Sequence, residues 1–301
     1  MNKFEIEEKI NSLYKEKLDL AKLNYNDRFN KAMQDPTFST LYTKRAKLIT
    51  DQAYGAKNSQ EIQAVSKDLL NYISKNNINL NIYYSCQKCK DTGYINNHEC
   101  ECRKAQRIKL LRENSRLPVL ATNITFKSNK ITEMNVIQKN TLSSLYLLCQ
   151  NWVNNFSKTK KSLICILGQV GIGKTTLAIS IANELLEQEY SVFYATAFDI
   201  NNIFVDKKFN KLSDESLYDD AIASDLLIID DLGVEVSNTI GKEYLFNVID
   251  SRTNNNKKTI ICSNLNMEEI ESKYDTRIAS RLSNKENTIS IGYIIGNDLR
   301  K

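Results

Sequence analysis

The chain has 301 residues, with 41 Lys and Arg against 36 Asp and Glu, a net charge of +5. That balance is too mild to mark a nucleic-acid binder by itself. No apolar stretch reaches the roughly 18 residues of a membrane span, and the N-terminal MNKFEIEEKINSLYKEK has no apolar signal core, so a cytoplasmic protein of about two domains is expected, with no membrane partner.

Residues 3 to 76 are rich in Lys, Glu, Leu and Asn and hold one Gly. Ile6, Ile10, Leu13 and Leu20 recur at helical spacing, as do Leu69, Leu70 and Ile73. Two or three amphipathic helices follow from this, broken near Asp35-Pro36 and near Gly55. A plain helical spacer and a docking surface for a partner protein both suit such a region.

The helical pattern stops at residues 82 to 102, IYYSCQKCKDTGYINNHECEC. Four of the seven cysteines crowd here as C-x2-C, ten residues, C-x-C. In a cytoplasmic chain such a cluster points to metal rather than to disulfides. Cys86, Cys89, Cys100 and Cys102 form a candidate tetrahedral Zn²⁺ site, with Gly93 supplying the turn after the first pair. The second pair is tighter than the usual C-x2-C. His98, the chain's one histidine, lies inside the knot and is an alternative ligand, and a set of buried free thiols is the plainer reading. Residues 103 to 116, RKAQRIKLLRENSR, set six basic residues against one acid and read as a helix whose charged face is either solvated or touches phosphates. Leu117-Pro118 breaks it. The expected division is a helical region over 1–81, a knot and basic helix over 82–118, a linker over 119–133 and a catalytic domain over 134–301.

That last region opens on a helix over 134–157, with Leu142, Leu145, Leu148, Trp152 and Phe156 spaced for burial. Strand signals then alternate with helical ones: 162–167, 191–195, 226–230, 259–263 and 287–291. This predicts an α/β domain, a parallel sheet with helices on both faces. Between the first strand and its helix lies Gly168-Gln169-Val170-Gly171-Ile172-Gly173-Lys174-Thr175, followed by Thr176. It fits G-x-x-x-x-G-K-[ST], a phosphate-binding loop, in the strand–loop–helix context that the motif needs. The glycines let several N–H groups face one point, and the helix N-terminus adds partial positive charge there. Lys174 then serves the β- and γ-phosphates of ATP, and Thr175 holds Mg²⁺.

The strand Leu226 to Asp230 is a second nucleotide signature: an acid emerges at its C-terminal end, where such sheets place ligands. Asp230 is the candidate for Mg²⁺, through water. Asp231 is placed to orient or deprotonate the attacking water, although Asp is one methylene shorter than the Glu of many ATPases. Glu235 is a nearby reserve. The fourth strand ends in Ser263-Asn264, where a polar side chain can meet the γ-phosphate. Arg277 and Arg281, four apart, share a helix face. They are either surface arginines or trans-acting ones that complete a neighbour's site. Between the second and third strands, Phe198, Phe204, Phe209, Lys207, Lys208 and Lys211 suit single-stranded nucleic acid, aromatics on bases and lysines along phosphates, or else are core and solvated residues.

Taken in order, the phosphate loop, Ile229-Asp-Asp-Leu-Gly233, Thr259-Ile-Ile-Cys-Ser-Asn264 and the arginine helix resemble an AAA+ ATPase. With Cys86-Gln-Lys-Cys89-Lys-Asp-Thr-Gly-Tyr94, Cys100-Glu-Cys102 and the ending Gly296-Asn-Asp-Leu-Arg300, the chain resembles bacterial replicative-helicase loaders of the DnaC/DnaI family over roughly residues 82 to 300. The resemblance implies an ATP-hydrolysing core without a C-terminal helical lid and an N-terminal part that grips a hexameric replicative helicase. It also implies single-stranded DNA binding, and ATP-timed release of the helicase onto DNA during replication initiation or restart. Asn264 would be its first sensor and Arg281 the trans-acting finger through which protomers associate, with Arg277 beside it. A transposase-helper ATPase of the IstB type has a similar core, but the knot behind some 80 helical residues favours the loader. A small-molecule kinase or GTPase on the same loop is disfavoured by the lack of N-K-x-D and by the paired acids with Asn264.

Overall fold

The computed structural model describes residues 3–128, 136–209, 216–234, 239–290, 292–296 and 298. They form two compact units, one of Lys9–Lys104 and one of Met1–Glu8 with Ala105–Lys301. The division falls inside two helices rather than at residues 81 and 118. Neither helix carries a Gly or Pro at that point, so no break in composition marks it. Two short 3-10 turns, Val119–Asn123 and Phe126–Ser128, occupy the described part of the expected linker.

The Lys9–Lys104 unit holds most of α1 (Lys3–Met33), then α2 (Pro36–Ala53) and α3 (Ser59–Lys75). The expected break at Asp35-Pro36 has a physical form. Pro36 sits in the first turn of α2, where its missing N–H is harmless, and the Asp35 carboxylate accepts hydrogen bonds from the N–H groups of Thr37 and Phe38. The Tyr72 hydroxyl donates to the same carboxylate from α3, at 2.7 Å. Phe38 is fully buried and packs with Ala32 and Leu69. Leu20 and Leu70, expected to be buried, are exposed. Leu70 follows the buried Leu69 and so points about 100° away around the helix, while a 31-residue α1 is longer than the face it can cover. The knot follows, with a two-residue hairpin of β1 (Tyr94–Ile95) and β2 (His98–Glu99). Asn96 and Asn97 turn it at positive φ, as a two-residue hairpin requires.

The larger unit contains α4 (Glu101–Asn114) from Ala105 onward, α5 (Val136–Asn154) and the α/β core. Leu142, Leu145, Trp152 and Phe156 are buried as expected, while Leu148, at the border of that stripe, is exposed. The strands are β3 (Leu163–Gly168), β4 (Val192–Thr196), β5 (Leu226–Leu232), β6 (Lys258–Ser263), β7 (Thr288–Ile289) and β8 (Tyr293–Ile294). Their order is β4-β5-β6-β3-β7, with β8 also on β3, and all pairs are parallel. The helices between them are α6 (Lys174–Glu187), α7 (Ala197–Lys208), α8 (Ser216–Ala223), α9 (Thr239–Asn254), α10 (Met267–Lys273) and α11 (Thr276–Ser283). The strand interiors are unbroken apolar runs because helices cover both faces. Ile164, Ile166, Leu227, Ile228, Ile229, Ile260 and Ile261 are all buried. The expected fifth strand is shorter than 287–291, whose last residue lies outside the described ones, and β8 was not foreseen.

One cation is buried deepest in this core. Arg252 of α9 is 1% exposed and donates to the carbonyls of Ala221, Ile222, Ser224 and Lys258 and to the Thr259 hydroxyl. Burial pulls its pKa down to about 9, still charged at neutral pH. Its fork of donors ties the end of α8 to α9 and β6.

Candidate nucleotide site and cysteine centre

β3 ends at Gly168 and α6 begins at Lys174, so the phosphate loop spans the gap at the C-terminal ends of the central strands. Gly171 and Gly173 lie at φ of 81° and 90°, where an L side chain is strained. Gln169, Val170 and Thr175 are partly or wholly solvent-accessible, and Ile172 is buried beneath the loop. Lys174 is 6% exposed. Its ammonium donates to the carbonyls of Gly168 and Gln169, each at 2.8 Å, and to the Asn264 side-chain oxygen at 2.5 Å. The structure thus brings together the loop lysine and the polar residue that follows β6, which are 90 positions apart.

Asp230 is 2% exposed, on the strand next but one to β3. Its Oδ2 accepts a hydrogen bond from the Tyr194 hydroxyl at 2.8 Å, and its Oδ1 accepts one from the Asp231 N–H at 3.0 Å. The pairing of β5 with β6 shifts by one residue between Ile229 and Leu232, and Asp231 lies in the shift, exposed, at φ 55°. Such a bulge re-aims side chains. It leaves Asp230 buried and Asp231 open at the strand end. Cys262 lies nearby on β6, and burial, then the Asp230 charge, push its thiol pKa well up, so it stays protonated. Glu235 and Lys211 lie outside the described residues.

The segment after β7 runs along the loop. Ile294 accepts from the Gln169 N–H, the Gly296 N–H meets the Gln169 side chain, and the Tyr293 hydroxyl donates to the Asn264 carbonyl. The Asp298 carboxylate lies so close against Gly171 that no side chain fits there. Tyr293 and Tyr194 were not singled out by sequence reasoning, and Asp298 entered it only within the ending Gly296 to Arg300. For Tyr194 the available signal is a hydroxyl in an otherwise apolar strand, which needs a partner when buried.

Arg277 and Arg281 both have partners within the chain. Arg277 pairs with Asp275 and stacks on Phe246, and Arg281 pairs with Asp250 at 2.8 Å. Both remain exposed, Arg281 less than half. Phe204 is core, whereas Phe198 and Phe209 are more than half exposed, and Lys207 lies over the Tyr218 ring. The basic run of α4 is not the open phosphate surface its composition allowed. Arg103 is 2% exposed and bonded to Asn11 and Glu99, Arg107 pairs with Glu7 and Glu189, and Arg112 meets Asn183 and Glu187. Glu99 neutralises Arg103 from four residues away, and acids distant in sequence neutralise Arg107 and Arg112.

In the knot, the sulfurs of Cys86, Cys89, Cys100 and Cys102 all lie within 4.8 Å of one another. Cys86 and Cys100 are 3.9 Å apart and Cys89 and Cys102 are 3.5 Å apart. A Zn–S bond of ~2.3 Å gives a tetrahedron edge of about 3.8 Å, so the sulfurs fit zinc. The tight C-x-C works because Cys102 is in the first turn of α4 and Cys100 just precedes it, and Arg103 and Lys104 donate their N–H groups to the Cys100 carbonyl. His98 is exposed on β2 and is not in the four-sulfur group. The Cys89 N–H, ahead of other contacts, draws the Cys86 pKa down to about 7, while burial raises that of Cys102 to about 12. The buried Asp91 carboxylate accepts from the N–H groups of Ser85 and Cys86, and Tyr14 of α1 donates its hydroxyl to the Cys102 sulfur at 3.1 Å.

The family model of IstB-like ATP binding proteins matches residues 89–285. The chain belongs to that family. The parallel sheet and the phosphate loop described above accord with membership of an ATP-binding family. It is 29% identical over 199 residues to the replicative helicase loader DnaC of Escherichia coli strain K12, a match covering 64% of this chain and 77% of that one. The DnaC of Buchnera aphidicola subsp. Baizongia pistaciae is 24% identical over 197 residues, covering 58% and 79%. Among solved structures, that of the DnaC helicase loader covers 60% of this chain and all of its own, at 20% identity and a TM-score of 0.48. No helix among the described residues is long and apolar enough to cross a membrane.

Proposed function

We propose that the chain is an ATP-driven loader that binds the replicative DNA helicase and delivers it onto single-stranded DNA. The observation that carries this reading is the unit of helices and cysteines that precedes the nucleotide site. The family match begins at residue 89, so α1, α2 and α3 lie outside it. An ATPase core does not need them, and relatives that share the core are named replicative helicase loaders.

Bound Mg²⁺ neutralises phosphate charge, and Thr175 and Asp230 would hold it. Lys174 leaves its two carbonyls for the phosphates, Asn264 meets the γ-phosphate, and Asp231 orients the attacking water. Gly168 to Thr176 cradle the phosphates, and the four cysteines hold Zn²⁺ as a structural ion. Arg281, with Arg277 beside it, acts on a neighbouring protomer's site. Its pairing with Asp250 is an exposed salt bridge worth only about 0–1 kcal/mol, which a γ-phosphate outcompetes. Phe198 and Phe209 offer faces for stacked bases, with Lys207 and Lys208 beside them.

The second reading, a transposase-helper ATPase, follows from the family model. The test is capture of the full chain by purified hexameric replicative helicase. Leu70→Glu with Tyr54→Glu, both exposed in the helical unit, should weaken capture at least tenfold with melting unchanged. Failure of the wild-type chain to bind helicase, together with binding to a transposase, would reverse the assignment.

A further inference from the structure

We propose that Tyr194 is a positioning residue for the catalytic metal, its hydroxyl fixing the Asp230 carboxylate in the orientation that receives a metal-bound water. The inference rests on the ATP and Mg²⁺ reading above and adds a residue to it.

The carboxylate is buried and held at both oxygens, Oδ2 by the Tyr194 hydroxyl at 2.8 Å and Oδ1 by the Asp231 N–H at 3.0 Å. Two bonds at opposite oxygens stop rotation about the Cβ–Cγ bond. Each oxygen of a carboxylate has more than one acceptor position, so both remain able to accept from water on a metal. The donor is itself fixed. The Tyr194 N–H is bonded to the Ser115 carbonyl at 2.8 Å, and its strand pairs in register with β5, Tyr194 opposite Ile228 and Thr196 opposite Asp230. Residues two apart on a strand share a face, so Tyr194 reaches Asp230 from the side of the sheet that Thr196 shares. Partners that orient metal-holding carboxylates typically change metal affinity or activity by about 10- to 100-fold when lost.

Tyr194→Phe removes the hydroxyl and keeps the ring. The half-saturating Mg²⁺ for ATP hydrolysis should rise by about tenfold, with the rate at saturating Mg²⁺ nearly unchanged. Binding of a fluorescent ATP analogue in EDTA should be unaltered, because the phosphate loop is intact. A merely structural role would instead lower melting temperature and weaken EDTA binding alongside. An unchanged Mg²⁺ dependence in a folded Tyr194→Phe chain overturns the inference. Should that variant fail to fold, the ¹³Cζ resonance of Tyr194 in the wild-type chain decides. It should move when Mg²⁺ is added to the nucleotide-bound protein, and a resonance indifferent to Mg²⁺ refutes the role. A wild-type chain that binds no nucleotide at any Mg²⁺ concentration removes the ATP reading itself, and the inference with it.

Discussion

Asp231→Asn is expected to separate chemistry from binding at this site. Asp231 stands exposed in the bulge of β5 at φ 55°, a conformation that Asp and Asn adopt more readily than most residues. Asn therefore keeps the backbone and removes only the charge. A group that orients or deprotonates the attacking nucleophile is worth roughly 10²- to 10⁴-fold, or about 2.7–5.4 kcal/mol at ~1.36 kcal/mol per decade. Phosphate release under saturating ATP and Mg²⁺ should fall by that factor, while affinity for a fluorescent ATP analogue stays within about twofold, since Lys174 and the loop are untouched. Asp231→Glu tests the reach. It restores the charge one methylene further out, but a Glu in the left-handed region costs about 1 kcal/mol, or about 2–4 °C of melting temperature in a unit of this size. Normal hydrolysis by Asp231→Asn would refute the reasoning and move the role to Glu235 or another group.

Chelation, or Cys86→Ser with Cys89→Ser, should release one Zn²⁺ per chain and loosen the knot, because structural zinc supplies much of such a fold's stability. Metal analysis of pure protein that finds no zinc would sink this expectation. The second expectation concerns acid. Burial alone would raise the Asp225 pKa, but hydrogen bonds from Ser191 and the charges of Lys3 and Lys257 outweigh it and hold the pKa below its ordinary value. A depressed carboxylate contributes stability above its unfolded pKa of ~3.9 and loses it as pH falls through the folded one. Asp225→Asn should therefore cost about 1–2 kcal/mol at pH 7 and nothing at low pH, where the wild-type carboxyl is protonated too. Urea melts showing the same gap at pH 7 and at low pH would contradict the assignment.

The parts legible in sequence are those whose cause is local. A phosphate loop needs its glycines and lysine in one short stretch, a buried parallel strand reads as an apolar run, and Pro36 after Asp35 marks a helix start with its cap. The cysteine cluster was legible by spacing, although the tight second pair made sense only once Cys102 was seen in the first turn of α4. What stayed hidden depends on register and on distant partners. Lys174 meets Asn264, and Tyr194 meets Asp230, because β4, β5, β6 and β3 lie in that order, which periodicity does not encode. The bulge at Asp231 leaves no compositional trace. The basic run of α4 misled because Glu7, Glu187 and Glu189, which neutralise it, lie far off in the chain. Leu70 and Leu148 misled for a simpler reason, as one residue of rotation carries a leucine from a covered face to solvent.

Both margins of the large sheet are blunted. On one side β4 spends a main-chain donor, that of Tyr194, on the Ser115 carbonyl. On the other, β7 and β8 are two residues each. An open strand edge is a template on which identical chains polymerise. With a donor of β4 already spent within the chain and β7 and β8 too short to offer a ladder, each margin presents less of that template than a full-length open strand would.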